Sequence, residues 1–213
     1  MVKSMRMRKK KNSEARVEAC ADYMIHNREE VEQYCDRFPC SLEIGCGKGG
    51  FITELAKRNP DRFFIALEVS TGALITAMES VKAQEIENIR FINANAVTLC
   101  DLFHKGEVDT IYLNFSDPWP KARHAKRRLT YRSFLELYRS ILPDDGVLIF
   151  KTDNRPLFDF SLEEFEACGM AMSDITYDLH NSVFNEGNIM TEYEKNFSEK
   201  GFSINRVVVR MHK

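Results

Sequence analysis

Five short apolar runs, separated by turn signals and helical patterns, constrain the fold of this chain more than any other feature. They lie at Leu42 to Ile44, Arg62 to Glu68, Ile89 to Ile92, Val108 to Leu113 and Val147 to Lys151. Runs of this length without alternation read as strands buried on both faces, the habit of a parallel sheet. Apolar residues recur at helical spacing over Phe51 to Arg58, Ser70 to Glu85, Tyr131 to Leu142 and Leu157 to Ala167, so strands and helices alternate as in an α/β domain. The last third breaks this rhythm. Met170 to Leu179 reads as a strand, His180 to Met190 as a long loop, Thr191 to Lys200 as a helix and Phe202 to Met211 as a final strand.

The strand ends carry the polar residues of interest, because in open α/β sheets the ligand crevice lies outside the carboxyl ends of the strands. The first strand runs into Gly45-Cys46-Gly47-Lys48-Gly49-Gly50. Its G-x-G-x-G spacing is neither the dinucleotide fingerprint nor a Walker loop, and it lets backbone approach a ligand without Cβ obstruction. Glu43 stands between Leu42 and Ile44, so it needs a cation or donors to offset burial, which a ligand in the glycine crevice would supply. Glu68 closes the second strand about 20 residues beyond the glycine loop, where nucleotide-binding sheets place a ribose-diol acceptor. Asn95 follows the third strand, as a turn residue or as a partner for an adenine edge.

The fourth strand delivers Asn114-Phe115-Ser116-Asp117-Pro118-Trp119-Pro120 and then Lys121, Arg123, His124, Ala125, Lys126, Arg127 and Arg128. Each proline biases the residue before it toward extended backbone, which predicts that Asp117 and Trp119 are presented rather than packed. Asp153, after the fifth strand, is expected beside Asp117 at the same sheet edge, or else in the N-cap neighbourhood of the next helix. Thr191 to Glu194 has the spacing of a capping box, with Gly201 as the C-cap and Glu194 facing the crevice.

The formal charge is only -2, yet the cations from Lys121 to Arg128, with Arg132, include no acid, and residues 3 to 16 are also basic. Local positive stripes on a near-neutral chain fit a polyanion partner. Residues 1 to 12 read as a basic arm that either solubilises the chain or touches nucleic acid, and two short helices between Ser13 and Phe38 are expected to cap a sheet edge. The 6 cysteines form no C-x-x-C pair, which favours reduced, mostly buried thiols and a cytoplasmic protein over disulfides or zinc. No apolar run follows the N-terminal lysines or reaches the ~18 residues of a membrane span, so a protein neither secreted nor membrane-inserted is expected. The division expected is a basic N-terminal piece over 1–39 and one catalytic domain over 40–213.

Five βα-type strands, a glycine loop and a final pair that cannot continue the parallel pattern suit a Rossmann-like class I S-adenosylmethionine-dependent methyltransferase: a seven-strand, mostly parallel sheet with an antiparallel last strand. Within that layout the chain resembles the bacterial tRNA (guanine-N7)-methyltransferases of the TrmB type. The resemblance rests on E-I-G-x-G-K-G-x-F (Glu43 to Phe51), S-D-P-W-P-K (Ser116 to Lys121), H-x-K-R-R (His124 to Arg128) and T-E-Y-E-x-x-F (Thr191 to Phe197). It implies S-adenosylmethionine as cofactor, tRNA as partner and the variable-loop guanine as target. It further implies that Glu43, Gly45, Gly47, Glu68, Asn95 and Asp117 contact the cofactor, with Asp117 also catalytic. Lys121, Asp153, Thr191, Glu192, Tyr193 and Glu194 match substrate-contacting positions, and Arg123, His124, Ala125, Lys126, Arg127 and Arg128 match the RNA-contacting segment. Asn95 departs from the family's usual Asp, which implies altered cofactor affinity. A monomer or homodimer without a membrane, a metal or an obligate protein partner is expected.

Guanine N7 has an in-plane lone pair and no proton, so the implied reaction needs positioning and charge management rather than a general base. Asp153 and Glu194 are the two candidates to accept guanine's adjacent N-H donors, and Trp119 either stacks on the base or packs against its own loop. If five cations between Lys121 and Arg128 each neutralised one phosphate, RNA affinity would fall with salt at a log-log slope of about -4. Rival readings are an amino-methyltransferase, because S-D-P-W resembles the proline loop of that class, an NAD-dependent dehydrogenase, and an RNA-binding module with a dead pocket.

Overall fold

In the computed structural model, which describes residues 13–35 and 40–211, the chain forms one seven-stranded sheet with helices on both faces. The chain opens with α1 (Ser13–Glu18) and α2 (Arg28–Cys35) and enters the sheet at β1 (Cys40–Ile44). There follow α3 (Gly50–Arg58), β2 (Phe63–Leu67), α4 (Thr71–Ala83), β3 (Ile89–Ile92), a one-turn α5 (Leu99–Leu102) and β4 (Val108–Asn114). The second half runs α6 (Arg132–Ile141), β5 (Val147–Thr152), α7 (Arg155–Ala167), β6 (Ala171–Thr176), α8 (Glu192–Ser198) and β7 (Asn205–Arg210). The basic arm over residues 1–12 lies outside the described residues.

The strand order is β3-β2-β1-β4-β5-β7-β6. The pairs β1 with β2, β1 with β4, β2 with β3 and β4 with β5 are parallel, whereas β7 is antiparallel to both β5 and β6. The expected antiparallel strand therefore sits between β5 and β6 and leaves six strands pointing one way. The order reverses between β1 and β4, which puts the switch-point crevice between Glu43 at the end of β1 and Asn114 at the end of β4.

Two apolar clusters sandwich the sheet. Leu42, Ile65, Ile111, Leu113, Phe150, Val207 and Val209 pack under α6 and α7 through Leu135, Tyr138, Phe158 and Phe165. Phe64, Ala66 and Phe91 pack on the other face with Ile52 of α3 and Leu74, Met78 and Val81 of α4. Residues before the sheet belong to the same cores: Ile25 and Val31 join the first cluster, Cys20 and Tyr23 the second. Met24 bridges Phe91 and the Ile25 amide donates to the Phe91 carbonyl at 2.9 Å, so this segment covers the β3 edge as expected. The sequence offered no periodic signal for the one-turn α5. Among the described residues the cysteines are free; Cys20, Cys40 and Cys46 are buried, and Cys100 is exposed.

Candidate active site

The glycine turn builds the floor of the crevice. Gly45 has φ +80° and its amide donates to the Leu67 carbonyl at 2.8 Å, tying the end of β1 to the end of β2. Gly49 is required for a different reason: a Cβ there would meet the Cβ of Ala77 at 2.8 Å, so α3 and α4 pack this closely only over glycine. The Gly47 amide donates to Glu68 Oε2 at 2.9 Å and the Ser70 amide to Glu68 Oε1 at 2.8 Å. These two bonds aim the carboxylate, and each oxygen keeps acceptor capacity for a ligand hydroxyl.

Glu43 is 2% exposed. Its Oε1 accepts from Asn114 Nδ2 at 2.8 Å, while Glu43 Oε2 and Asn114 Oδ1 are buried with no hydrogen-bond partner. Burial pushes the Glu43 pKa up to about 7, against the opposing pull of the Asn114 bond and the Lys151 ammonium. Buried acceptors left without a hydrogen bond are costly in a folded protein unless a donor-rich group completes them.

Two cavities meet over this floor. One, of about 640 Å³, is lined by Gly45, Glu68, Asn95, Phe115, Asp117, Trp119, Lys126 and Arg127, a size typical of small-molecule sites. Val69 and Val97, 61% and 59% exposed, line it too and offer apolar surface to a flat ring. The second, of about 220 Å³, is lined by Glu43, Gly45, Gly47, Phe51, Asn114, Phe115, Thr191, Glu192 and Tyr193. Gly45 and Phe115 line both cavities, so an elongated ligand fits across them.

The far wall is held by a buried ion cluster. Lys151, at the end of β5 and 3% exposed, donates to Asn188 Oδ1 at 3.1 Å, to the Ile189 carbonyl at 2.9 Å and to Glu194 Oε2 at 2.7 Å. All three of its donors are used. Glu194 Oε1 in turn meets Asn188 Nδ2 at 2.8 Å and His180 Nε2 at 2.9 Å. Burial opposes the Glu194 carboxylate, but the Lys151 ammonium and these hydrogen bonds outweigh it and hold its pKa below the ordinary range. Burial lowers the Lys151 pKa. The cluster anchors α8 over the crevice, with Thr191 capping it by accepting from the Glu194 amide at 2.9 Å.

Comparison with known proteins then decides the family. Residues 37–207 match the model of a family described as putative methyltransferases. The chain is 47% identical over 211 residues to a tRNA (guanine-N(7)-)-methyltransferase of Geobacillus sp. (strain WCH70), covering 97% of this chain and 96% of that one. It is 45% identical over 208 residues to the protein so named in Streptococcus uberis, covering 95% and 98%. The chain belongs to the tRNA (guanine-N7)-methyltransferase family. Its fold is that of the 16S rRNA methyltransferase KamB, with a TM-score of 0.62 at 16% identity over 87% of this chain and 93% of that one. An antibiotic-related methyltransferase superimposes with a TM-score of 0.63, also at 16% identity, over 87% and 94%.

Within this family member, the residues singled out in the sequence do not all stand where expected. Glu43, Gly45, Gly47, Glu68, Asn95 and Asp117 line the joined cavities. Asp117 is exposed and has no hydrogen-bond or ion-pair partner among the described residues. Asn95 Oδ1 caps a short 3-10 turn by accepting from the Val97 amide at 3.1 Å, which leaves it one acceptor site for a ligand. Glu194, expected at the crevice, is buried instead: its oxygens are committed to Lys151, His180 and Asn188, and they never return to the Thr191 amide to close a capping box. Asp153 accepts from Tyr193 Oη at 3.3 Å, and Asn154, not Asp153, caps α7. Glu192 pairs with Lys48 at 3.3 Å across the mouth of the smaller cavity.

The proline loop also departs from expectation. Trp119 has φ +40° and Phe115 φ +54°, so Trp119 is left-handed rather than extended, a conformation that costs a non-glycine residue about 1–3 kcal/mol. Its ring packs within its own segment, with the Arg127 guanidinium 4.9 Å over it and the His124 ring edge-on at 5.8 Å. Burial and the charges of Arg127, Arg123 and Lys121 lower the His124 pKa. Lys121, Ala122, Arg123 and Lys126 are exposed on the 3-10 stretch Ala122–Arg127 and its flank. Ala125 and His124 are half-buried, and Arg128 turns inward. Arg132 is neutralised by Glu164 at 2.7 Å and leaves the basic stripe. Sequence reasoning missed Asn114, Lys151, Val69 and Val97; the only signal was polar or apolar residues at odd positions of strand ends.

Proposed function

We propose that the protein transfers a methyl group from S-adenosylmethionine to N7 of guanine in tRNA, at the variable loop. The observation that carries this is the pair of orphaned acceptors, Glu43 Oε2 and Asn114 Oδ1, lining the smaller cavity, which shares Gly45 and Phe115 with the larger one that Asp117 lines. An ammonium group is the donor-rich partner that such a pair calls for, so the residues fit the cofactor's amino-acid end. Glu68 is aimed to accept from a ribose diol, and Val69, Val97 and the free lone pair of Asn95 suit an adenine ring. When bound, S-adenosylmethionine supplies a methyl group on a positively charged sulfur.

The chain's own residues then hold, orient and neutralise. Guanine N7 attacks without losing a proton, and the product purine is cationic, so the exposed carboxylate of Asp117 stabilises developing charge rather than acting as a base. Asp153, with Tyr193 beside it, is the acceptor left for the guanine N-H donors now that Glu194 is buried among its own partners. Lys121, Arg123 and Lys126 form the exposed cationic rim that meets tRNA phosphates. No helix among the described residues is long and apolar enough to cross a membrane; tRNA as substrate supports a cytoplasmic location.

The test is direct: incubate the purified protein with S-adenosylmethionine and tRNA lacking N7-methylguanosine, digest, and read the nucleosides by mass spectrometry. N7-methylguanosine from the variable loop is the expected product. Methylated adenosine would move the assignment to the amino-methyltransferase reading favoured by the S-D-P-W loop.

A further inference from the structure

The run Lys126-Arg127-Arg128 looks uniform in sequence, and its resemblance implies RNA contact throughout. In three dimensions the third cation is a different kind of residue. Arg128 Nε donates to the Pro118 carbonyl at 3.1 Å and Nη2 to the Trp119 carbonyl at 3.2 Å. Its guanidinium lies 4.2 Å over the Phe160 ring of α7. Those two carbonyls flank the left-handed Trp119, φ +40°, whose backbone has no reason of its own to stay there. Only a planar fork with a flat face satisfies two adjacent carbonyls while stacking on a ring; a lysine ammonium cannot do both.

The wall behind the fork is rigid. Ser161 Oγ donates to the Leu157 carbonyl at 2.7 Å and accepts from Thr130 Oγ1 at 2.7 Å, Arg132 grips Glu164, and Tyr131 stacks on Phe160 with planes 9° apart. The residue immediately before the clamped Pro118–Trp119 unit is Asp117, whose side chain has no other restraint among the described residues. We propose that Arg128 is a positioning residue that clamps the Pro118–Trp119 turn against α7 and thereby aims Asp117 and Trp119 into the crevice, rather than a contact for tRNA phosphate. This rests on the reading that the Asp117 loop serves methyl transfer, and it separates two tasks within one basic run: Lys121, Arg123 and Lys126 hold RNA while Arg128 holds the protein.

Trp119 is the chain's 1 tryptophan, so its fluorescence reports on the clamp without any turnover. The experiment compares Arg128→Lys, Arg128→Ala and Phe160→Leu with Arg123→Ala, following acrylamide quenching of Trp119, kcat, and the salt dependence of tRNA binding. Arg128→Lys is expected to raise Trp119 quenching and to lower kcat by about tenfold to a hundredfold, the usual effect of misplacing a reacting group, with an unchanged salt slope. Phe160→Leu is expected to move quenching and kcat the same way by less. Arg123→Ala is expected to do the reverse, reducing the slope by about 1 with quenching unchanged. If lysine restores wild-type quenching and kcat while alanine lowers the slope, Arg128 is a phosphate contact and the clamp is wrong. Should Arg128→Ala not fold, Arg128→Lys alone decides between the two. Failure of the wild type to methylate tRNA would overturn the proposed function and leave the quenching comparison to judge the clamp.

Discussion

The two walls of the crevice are held by opposite means. The glycine-loop wall, from Glu43 to Glu68, is set by backbone: amides of Gly45 and Cys46 reach the Leu67 carbonyl, and those of Gly47 and Ser70 aim Glu68. The proline-loop wall, from Phe115 to Arg128, has two left-handed non-glycine residues and is set by side chains, chiefly the Arg128 fork and the Arg127–Trp119 stack. A backbone-built wall leaves its unmet need in single buried atoms, as at Glu43 Oε2. A side-chain-built wall stores strain, and one substitution releases it. The first wall suits an invariant cofactor, whereas the second can adjust to a macromolecular substrate.

The contrast can be broken most forcefully at the cluster that carries α8 to the crevice. Glu194→Ala should destabilise the protein by about 3–5 kcal/mol in urea unfolding, because it strands a buried ammonium, whereas replacing Lys151 and Glu194 together by apolar residues should recover most of that loss. Equal effects for the single and double variants would mean that the pair is not coupled.

On the proline-loop wall, Asp117→Ala should lower kcat by about 100-fold or more at saturating cofactor, the range for losing one preorganised electrostatic group. Retention of full turnover would remove the charge-stabilising role. On the glycine-loop wall, Glu43→Gln should weaken cofactor binding in calorimetry yet stabilise the ligand-free protein at pH 8. The carboxyl's pKa rises on folding to about 7, so an ionised Glu43 penalises the fold increasingly as pH climbs from the unfolded value through 7. A shift from 4.5 to about 7 corresponds to about 3 kcal/mol. The stabilisation should vanish by pH 4, and a pH-independent gain would show that Glu43 is charged throughout. The smallest effect concerns salt: with Arg127 stacked on Trp119 and Arg128 holding the loop, the three remaining cations should give a log-log slope of about -2.5 for tRNA binding instead of about -4, measurable by titration at several ionic strengths.

Much of this molecule was legible before folding. The strands from Leu42 to Lys151 declared themselves because burial on both faces demands unbroken apolar runs, and that demand is local. Gly45, Gly47 and Glu68 were legible for a similar reason: a tight turn at a strand end and an acid one strand later are short-range patterns. Thr191 announced itself as a cap, and the structure has it so. Glu194 was misplaced, and the contacts of Arg128 went unforeseen, because their partners lie elsewhere. The carboxylate of Glu194 bonds Lys151, 43 residues away, and Arg128 rests on Phe160 of α7.

Charge is where sequence and tertiary structure part company. Composition and spacing alone determined an α/β domain, a glycine crevice with acids at two strand ends, and a basic segment beside a proline loop, since each follows from chain connectivity and the period of a strand or helix. Which charges face the ligand and which are consumed inside was decided only when β7 entered beside β5 and α7 packed behind the loop. A charged side chain's role depends on which distant donors and acceptors reach it first, and no local pattern encodes that distance.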